Sequence, residues 1–447
     1  MWAAGVPLVE TTRGGCVESV HYGAIAVVDA QRGVKWSVGH ASLMTFPRSS
    51  LKPLQLLALV AGGGIERFGL QPDELAVMAG SHGGEPMHVD RVLGILQKID
   101  APPSALACGV GTPLDSAAAA ELMRAGSAAT VLHNNCSGKH AGMLALARLL
   151  EAPLERYIDP DHPAQIAIRE CLMDLLQVDA AELGVGIDGC SAPAYALPLR
   201  KMARGFAMLG DPPAASERWR AGLEAIGSAM RRHPELVGGS HGRVDTELMR
   251  LGRGLVAKSG AEGYFCVGRA DGSGLALKIL DGDPGARARG VATVMAVRRM
   301  DWIDDTDLAG RLSAFGPRQP IRNLAGRHTG EVRPAARFSA ASLYEGFGRA
   351  TVAVWPCFLT RRSRTSAANA WAAWLPLAAT ALRIPSPSAT ATTPPWTRSR
   401  SGATRWAARA SSTTCCVIRA CRLSSTMSRR SIPGSPAASR CVARLRR

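Results

Sequence analysis

The chain has 447 residues, and its 53 Lys and Arg residues outnumber its 36 Asp and Glu residues, which gives a formal net charge of +17. All of this excess lies in residues 346–447, which contain 17 Arg and no Lys, Asp or Glu. Residues 1–345 are therefore neutral overall, which argues against the basic surface that a nucleic-acid-binding domain needs. Their number allows a large core divided into two lobes.

The first predicted elements are two β-rich runs near the N-terminus. Residues 24–28 and 34–38 flank a short polar turn and predict a hairpin. Residues 1–17 lack the basic start, apolar run and cleavage site of a secretory signal, which favours a cytoplasmic protein. The cysteines of residues 1–334 are scattered along the chain, which fits reduced thiols better than a disulfide framework.

The middle of the chain has a helical pattern. Apolar residues recur at three- and four-residue spacing in six segments, which are 50–61, 88–99, 116–124, 139–150, 163–177 and 214–232. After them, residues 255–258 are a predicted strand, and residues 264–267 and 275–280 a second hairpin. The simplest architecture is an α/β fold whose antiparallel sheet takes strands from both ends of the chain, with a helical lobe inserted between them.

The last hundred residues have a different composition. From about Ala335 the chain is rich in Arg, Ala, Ser, Thr, Pro and Trp. We therefore expect a folded domain over residues 1–334 and a tail over residues 335–447. A nucleic-acid-binding or membrane-seeking tail is one interpretation, and a disordered or out-of-frame translation of a GC-rich gene is the one we favour. The apolar stretch Ala367–Leu382 is too short for a confident membrane span.

A Ser-x-x-Lys motif, Ser49 to Lys52, stands at the start of the first predicted helix. The spacing of three predicts that the hydroxyl and the amine share one helix face, and a lysine of lowered pKa can activate a serine. A lone match is more often a capping serine and a solvated lysine. Lys258-Ser259-Gly260 adds weight, because serine β-lactamases and penicillin-binding enzymes have a Ser-x-x-Lys helix followed by such a strand. Their intervening Ser-Asp-Asn element is absent, so a β-lactam substrate is not supported.

Two other polar motifs, Ser81–Glu85 and His133–His140, are each typical of a structural turn when taken singly. Cys136 precedes a predicted helix, where a thiolate is favoured, and Cys190 follows later in the chain. Two cysteines and one further donor can hold a catalytic zinc ion. The spacing is not a recognised zinc signature, and the alternative is a pair of buried thiols that act as small apolar side chains.

Taken together, six runs resemble the thermolabile, Rhizobium-type L-asparaginase family, the asparaginase II family. They are Val6–Glu10, Thr45–Ser49, Lys52–Gln55, His133–Met143, Gly186–Cys190 and Ala257–Gly263. The resemblance covers about residues 5–334, and no residue beyond 334 contributes to it. It implies an amidohydrolase whose fold is similar to serine β-lactamases and glutaminases.

The resemblance also implies the roles of particular residues. It pairs Ser49 with Lys52 and Ser81 with Lys258 as catalytic residues. It implies a zinc ion bound by Cys136, Lys139 and Cys190. Arg48 and Asp188, next to these motifs, are candidates for binding the carboxylate and amino group of the substrate. Gly83 stands where the family's Ser-His motif is expected to have a polar residue.

We therefore expect a cytoplasmic L-asparaginase of asparagine catabolism, which hydrolyses L-asparagine to L-aspartate and ammonia. Ser49 or Ser81 attacks the side-chain amide, Lys52 and Lys258 act as base and proton donor, and zinc orients the substrate. The alternatives are another Ser-Lys hydrolase that acts on glutamine, β-lactams or peptides, and a nucleic-acid-binding protein driven by the tail. The expected partner is a small-molecule substrate, without nucleic acid or membrane, and a homodimer is left open.

Overall fold

The computed structural model describes residues 4–336 and residue 338. The predicted tail over 335–447 therefore lies outside the described residues, apart from Ala335, Ala336 and Phe338, and its proposed origin stays a prediction. Phe338 and Ala335 are both buried. Among the described residues, every helix is too short or too polar to cross a membrane.

The strands fall into three groups, of which the first and the third form the main sheet and the second forms a small sheet. The first group is β1 (Val6–Arg13), β2 (Cys16–Asp29) and β3 (Gly33–Val38). The second is β4 (Met44–Thr45), β5 (Gly184–Ile187) and β6 (Pro193–Pro198). The third is β7 (Leu255–Gly260), β8 (Tyr264–Arg269), β9 (Ser273–Ile279), β10 (Gln319–Arg322) and β11 (His328–Pro334).

The helices account for most of the chain between these strands. Those before β5 are α1 (Lys52–Ala61), α2 (Gly64–Phe68), α3 (Pro72–Ala79), α4 (Pro86–Lys98), α5 (Ser116–Arg124), α6 (Ser137–Leu149) and α7 (Pro163–Leu176). Those after β6 are α8 (Leu199–Gly210), α9 (Glu217–Arg232), α10 (Pro234–Gly238), α11 (Val244–Met249), α12 (Ala288–Arg299) and α13 (Asp305–Ala309).

The main sheet joins the two ends of the described chain. Its strand order is β10-β11-β1-β2-β9-β8-β7, and β3 also pairs with β2. All of its pairings are antiparallel, and β1 lies between β2 and β11, with Glu10 opposite Val20 on one side and Arg333 on the other. The predicted α/β fold, with a sheet built from both ends and a helical lobe between them, is confirmed.

The sheet is covered closely by α8, because glycines remove the side chains that would keep the helix away. A Cβ on Gly268 would lie 1.9 Å from the Phe206 carbonyl oxygen, and one on Gly274 would lie 2.0 Å from the Ala203 carbonyl oxygen. Strands β7 and β8 are buried along almost their whole length, which matches their apolar sequences. The Lys258 side chain therefore extends from a strand that is shielded from water.

The helical lobe is built around α1 and α6. Helix α6 is buried over most of its length, and a Cβ on Gly138 would lie only 2.3 Å from the Val77 carbonyl oxygen of α3. This close contact holds the first turn of α6, which carries Lys139, against the end of α3, which leads to Ser81. The small sheet β4-β6-β5 then brings the residues after β5 towards the start of α1.

The local predictions agree with the structure. Both hairpins form, as β2–β3 and β8–β9, and the six predicted helical segments correspond to α1, α4, α5, α6, α7 and α9. The elements that were not predicted are strands β1, β4, β5, β6, β10 and β11 and helices α2, α3, α8, α10, α11, α12 and α13. In α8 the sequence contains Gly205 and Gly210, which are turn signals, but here both glycines lie at close contacts, with Leu54 and Arg269 respectively.

Candidate active site

The first part of the site is the Lys52 amine. Lys52 begins α1 after a 3-10 turn over Arg48–Leu51, and Pro53 occupies the first turn of the helix. The side chain is 1% exposed. Its Nζ donates to the carbonyl oxygens of Gly80 at 2.8 Å and Asn135 at 3.1 Å, and it lies 2.9 Å from the Ser81 Oγ. Burial lowers the pKa of Lys52.

Ser81 is held in place by the backbone beside it. It follows α3 by one residue, and its amide donates to the Val237 carbonyl oxygen at 2.8 Å. The serine is 4% exposed. The hydroxyl therefore faces the Lys52 amine in a site from which most water is excluded.

Ser49 occupies a different position from the one that the spacing predicts. It lies half-buried in the 3-10 turn, and its hydroxyl makes no hydrogen bond with any described residue. The reason is that the Lys52 amine already has three partners elsewhere. The structure therefore brings Lys52 to Ser81, whereas the family resemblance pairs Lys52 with Ser49.

The second buried amine belongs to Lys258 in β7. Its Nζ donates to the Ser259 carbonyl oxygen at 2.8 Å and lies 3.9 Å from the Asp245 carboxylate, and both side chains are 0% exposed. Burial lowers the pKa of Lys258, as do nearby Lys52, Arg243 and Arg289, while Asp245 opposes this shift. No hydrogen bond joins Lys258 to Ser81 among the described residues.

Asp245 and Arg243 are part of this network, and the sequence did not reveal them. The Asp245 Oδ2 accepts hydrogen bonds from the Ser259 amide at 3.2 Å and from the Ser259 hydroxyl at 2.6 Å. The Arg243 guanidinium donates to the Ser259 hydroxyl at 3.2 Å. Arg243 and Lys258 hold the pKa of Asp245 below its usual range despite its burial. The segment around Asp245 is mostly polar in sequence, so no local pattern singled this carboxylate out.

The third part of the site is a pair of cysteines with a lysine. Cys136 caps α6, as predicted, and Cys190 follows β5. The Lys139 Nζ donates to the Cys190 Sγ at 2.9 Å, and all three residues are buried. The adjacent Cys190 thiol, followed by Lys52 and Lys139, lowers the pKa of Cys136. The thiols and Asp188 raise the pKa of Lys139, although burial acts in the opposite direction.

Arg48 and Asp188 are brought together at the edge of this cluster. Arg48 Nη2 and Nε lie 2.6 and 2.8 Å from the same oxygen of Asp188, and Lys139 lies 3.8 Å from the other oxygen. Arg48 has a left-handed φ of 53°, which is uncommon for a residue with a side chain. The two candidate substrate-binding residues therefore neutralise each other in this structure.

The residues of this cluster fit a zinc ion. Two thiols and an amine converge, and sulfur and nitrogen are the donors that zinc prefers. Three protein ligands would leave one position for water or substrate, as in catalytic zinc sites. Within the described part of the chain, no cluster of three His, Cys, Asp or Glu side chains forms an alternative metal site.

The His133–His140 motif has a structural task as well. The Asn134 side chain donates to the carbonyl oxygens of Cys108 and Gly109 at 3.0 and 3.1 Å and accepts from the Cys136 amide at 2.9 Å. The loop that leads into α6 is thereby fixed. Because the same loop supplies the Asn135 carbonyl oxygen to Lys52, this motif couples the amine to the cysteine cluster.

A comparison with models of known families identifies the family of this chain. The model of the L-asparaginase II family matches residues 9–334. The chain belongs to this family. Membership in L-asparaginase II confirms the predicted resemblance.

Other comparisons concern solved structures and curated proteins. The chain is 15% identical to Mglu in its native form in the presence of 4.3 M NaCl, with a TM-score of 0.36, over 64% of this chain and 63% of that protein's length. It is 14% identical to a β-lactamase from Mycobacterium bovis, with a TM-score of 0.30, over 63% of this chain and 95% of the other. No curated protein matches this L-asparaginase II chain.

Proposed function

We propose that this protein hydrolyses L-asparagine to L-aspartate and ammonia, with Ser81 as the nucleophile and Lys52 as its base. Membership of the L-asparaginase II family supports the substrate. The observation that carries the mechanism is the 2.9 Å separation between the Lys52 Nζ and the Ser81 Oγ in a buried site.

The partners of Lys52 explain how a lysine can act as a base here. A neutral amine has two protons and one lone pair, and burial favours the neutral form. The carbonyl oxygens of Gly80 and Asn135 can only accept hydrogen bonds, so they take the two protons. The lone pair can then face the Ser81 hydroxyl, while the Cys136 thiol beside the amine opposes the effect of burial on the pKa of Lys52.

The reaction then has two halves, and each is balanced in protons. In the first, Lys52 takes the Ser81 proton while Oγ attacks the side-chain carbonyl carbon, the C–N bond breaks, and the proton leaves with ammonia. In the second, Lys52 removes a proton from water, the hydroxide oxygen attacks the ester carbon, and the C–O bond to Ser81 breaks. The proton returns to Ser81, and aspartate is released.

Lys258 fits the second general acid–base role. Its amine makes one hydrogen bond, to the Ser259 carbonyl oxygen, so it has unused capacity for a substrate group or water. Asp245 and Ser259 fix its position from the side away from the solvent. In this proposal Lys258 passes a proton to the leaving nitrogen, and it is then replenished by the proton that Lys52 took from Ser81.

Zinc is proposed as a cofactor, held by Cys136, Lys139 and Cys190. When bound, zinc supplies a positive centre that orients the substrate, since the serine already provides the nucleophile. Lys139 must be neutral to donate its lone pair, and a divalent cation beside it disfavours the protonated form. The Arg48–Asp188 pair lies at the edge of this cluster and limits the directions from which a substrate can reach it.

The zinc proposal has a test that does not depend on activity. The full chain should take up one zinc ion per molecule, measured by elemental analysis after dialysis against zinc and then buffer. Cys136→Ser should reduce this stoichiometry to near zero. Cys16→Ser, at an exposed cysteine away from the cluster, should retain it. Equal zinc content in the two variants would contradict the proposed ligands.

The substrate is tested by ammonia release from L-asparagine with the purified full chain. L-asparagine should be hydrolysed faster than L-glutamine, and a chromogenic β-lactam should remain intact. A preference for glutamine or the β-lactam would move the assignment to another Ser-Lys hydrolase. We propose the cytoplasm as the compartment, supported by the six described cysteines, all of which are unpaired.

A further inference from the structure

A cavity of about 290 Å³ opens beside the candidate active site and has no role in the mechanism above. Its wall includes the charged side chains of Glu85, Asp115 and Arg243 and the glycines Gly83 and Gly239. Three links connect this wall to the reacting groups. Gly83 follows Ser81 by two residues, Arg243 donates to the Ser259 hydroxyl next to Lys258, and the Ser81 amide bonds to Val237, just before Gly238 of the wall.

The two carboxylates of the cavity, Glu85 and Asp115, are each held by a backbone hydrogen bond, and each has a further oxygen that can accept another. The Glu85 side chain is 15% exposed, and its Oε1 accepts a hydrogen bond from the Ser240 amide at 3.0 Å. Asp115 caps α5, with its Oδ1 accepting from the Ala118 amide at 2.8 Å. The second oxygen of each carboxylate has no hydrogen bond to any described residue.

Glycine makes room for the Glu85 carboxylate. A Cβ on Gly83 would lie 2.9 Å from its Oε1, and a Cβ on Gly239 would lie 3.2 Å from the same oxygen. Gly239 also has a φ of 124°, which favours glycine over any residue with a side chain. The departure from the family pattern at Gly83 therefore lies directly against this carboxylate.

The opposite charge comes from Arg243. Its side chain is 23% exposed, its Nη2 is bonded to Ser259, and its Nε lies 3.6 Å from Asp245. Its Nη1 has no hydrogen bond among the described residues. One cavity thus holds unused carboxylate oxygens and an unused guanidinium N–H, which match the ammonium and carboxylate of a free α-amino acid.

We propose that this charged cavity, lined by Glu85, Asp115 and Arg243, binds the α-amino and α-carboxylate groups of the amino-acid substrate. The inference rests on the proposed function, since it assumes that the amide is carried by an amino acid. It assigns the head group to residues other than Arg48 and Asp188, whose charges are already paired with each other. The side-chain amide of the bound substrate then extends towards Ser81.

Truncated substrates separate this role from a structural one. L-asparagine, succinamic acid and 3-aminopropanamide share the reacting primary amide, but succinamic acid lacks the α-amino group and 3-aminopropanamide lacks the α-carboxylate. Arg243→Gln in the full chain should lower kcat/KM for L-asparagine by roughly 10- to 100-fold. The loss for 3-aminopropanamide should be at least about 10-fold smaller, because this compound has no carboxylate to lose a contact and reports only the effect of Arg243 on Ser259, Asp245 and Lys258.

Glu85→Gln provides the reciprocal measurement. It should lower kcat/KM for L-asparagine by roughly 10-fold or more and leave succinamic acid within about threefold. Exposed helix residues provide matched controls, Arg232→Gln and Glu121→Gln, and neither should change any of the three values. If Arg243→Gln lowers all three values equally, Arg243 acts only through Ser259 and Asp245, and the inference is overturned.

Arg48→Gln, measured with the same substrates, tests the competing assignment. If this variant shows the carboxylate-selective loss and Arg243→Gln does not, the head group binds at Arg48 and the inference is wrong. A wild-type protein that releases no ammonia from L-asparagine would instead contradict the proposed function. Calorimetric titration with L-aspartate then still tests the cavity: binding that is lost in Arg243→Gln supports it, and no binding to the wild-type protein overturns it.

Discussion

The two buried lysines of the site have different surroundings. Lys52 is bonded to two carbonyl oxygens and a hydroxyl, it also interacts with the Cys136 thiol, and no carboxylate bonds to it. Lys258 has one hydrogen bond, and its amine lies 3.9 Å from the fully buried Asp245. Burial lowers the pKa of both. Under the proposed mechanism, the neighbours of the two amines, rather than the residue type, give them different roles.

The different roles of the two lysines follow from the hydrogen bonds that each amine can make. The two carbonyl oxygens beside Lys52 take the two protons of its neutral amine, and its lone pair then faces Ser81. The surroundings of Lys258 keep it in position and leave donors for a group that arrives with the substrate. In the proposed mechanism Lys52 therefore acts on Ser81 of the protein, and Lys258 acts on a group of the bound substrate. The following experiments test this contrast.

The largest effect is expected at the serines. Ser81→Ala removes the hydroxyl that faces Lys52 and should lower kcat by roughly 10⁵-fold or more, as loss of a nucleophile does. Ser49→Ala removes a hydroxyl with no described hydrogen bond, and the loss should stay below about 10-fold. Ammonia release measures both. A larger loss in Ser49→Ala would reverse the assignment of the nucleophile.

The lysines themselves come next. Lys52→Met keeps the length of the buried side chain but removes the base, and kcat should fall by about 10⁴-fold; Lys258→Met should cost about 10²-fold. Lys201→Met, on α8 away from the site, is the matched control and should leave kcat unchanged. Circular dichroism checks that each variant is folded. Equal losses at positions 52 and 258 would remove the contrast between the two amines.

Asp245→Asn tests the contrast between the two lysines through the pH dependence of kcat/KM. Asp245 raises the pKa of Lys258 against the effects of burial and of Lys52, Arg243 and Arg289. Without this negative charge the neutral amine is favoured further, and Lys258 must be protonated to act as the proton donor. The alkaline limb of the kcat/KM profile should therefore move to lower pH, and the maximum should fall about 10-fold. Breaking this buried pair should also cost roughly 3–5 kcal/mol of stability.

The control for this shift is Asp301→Asn, at a side chain that is 89% exposed. It should leave both the pH profile and the melting temperature unchanged. An alkaline limb that stays in place in a folded Asp245→Asn variant would show that Lys258 does not set it.

The smallest effect concerns stability and involves buried bases that stay neutral. His82 and His88 are 0% exposed, and their rings stack with centroids 4.9 Å apart. Burial lowers the pKa of both. The unfolded chain takes up protons near pH 6.5 while the folded chain does not, so the free energy of unfolding should decrease as pH falls below about 6.5.

Urea titrations at pH 7.5 and pH 5.5 measure this decrease. His88→Gln should show a smaller decrease than the wild-type protein, because glutamine does not titrate, and His328→Gln at an exposed site should behave like the wild-type protein. A decrease of the same size in His88→Gln would mean that other groups cause the pH dependence.

Local features of the site were predictable from the sequence. The Ser-x-x-Lys spacing placed Lys52 at the start of a helix, and Cys136 was correctly expected at the N-terminus of another. Such features depend on residues within one or two turns. The contact between Lys52 and Ser81 was not predicted, because it depends on how α3 packs beside α1. Asp245 was missed for the same reason, since its partner Ser259 lies in a different element.

In the fold as well, local features were predicted from the sequence and contacts between distant segments were not. Both predicted hairpins involve neighbouring segments, whose turn residues and alternating pattern are visible in the sequence. The position of β1 between β2 and β11 depends on a pairing between Thr11 and Val332, and no local pattern reports it. In α8, packing overrides the turn preference of glycine, because Gly205 and Gly210 lie where the helix is closest to its neighbours.

The order of strands in the main sheet sets a condition on how the protein is made. Strand β2 finds its partner β9 only after about 240 more residues have been synthesised, and β1 waits even longer for β11. At a rate of ~5–20 residues per second, the first apolar strands stay without these later partners on the ribosome for roughly 10–50 s. Strands β1, β2 and β3 can pair with one another during this time, but the edges that await β9 and β11 stay open and can pair with other chains. Production of the protein should therefore be sensitive to chaperones and to translation speed, even when the finished fold is stable.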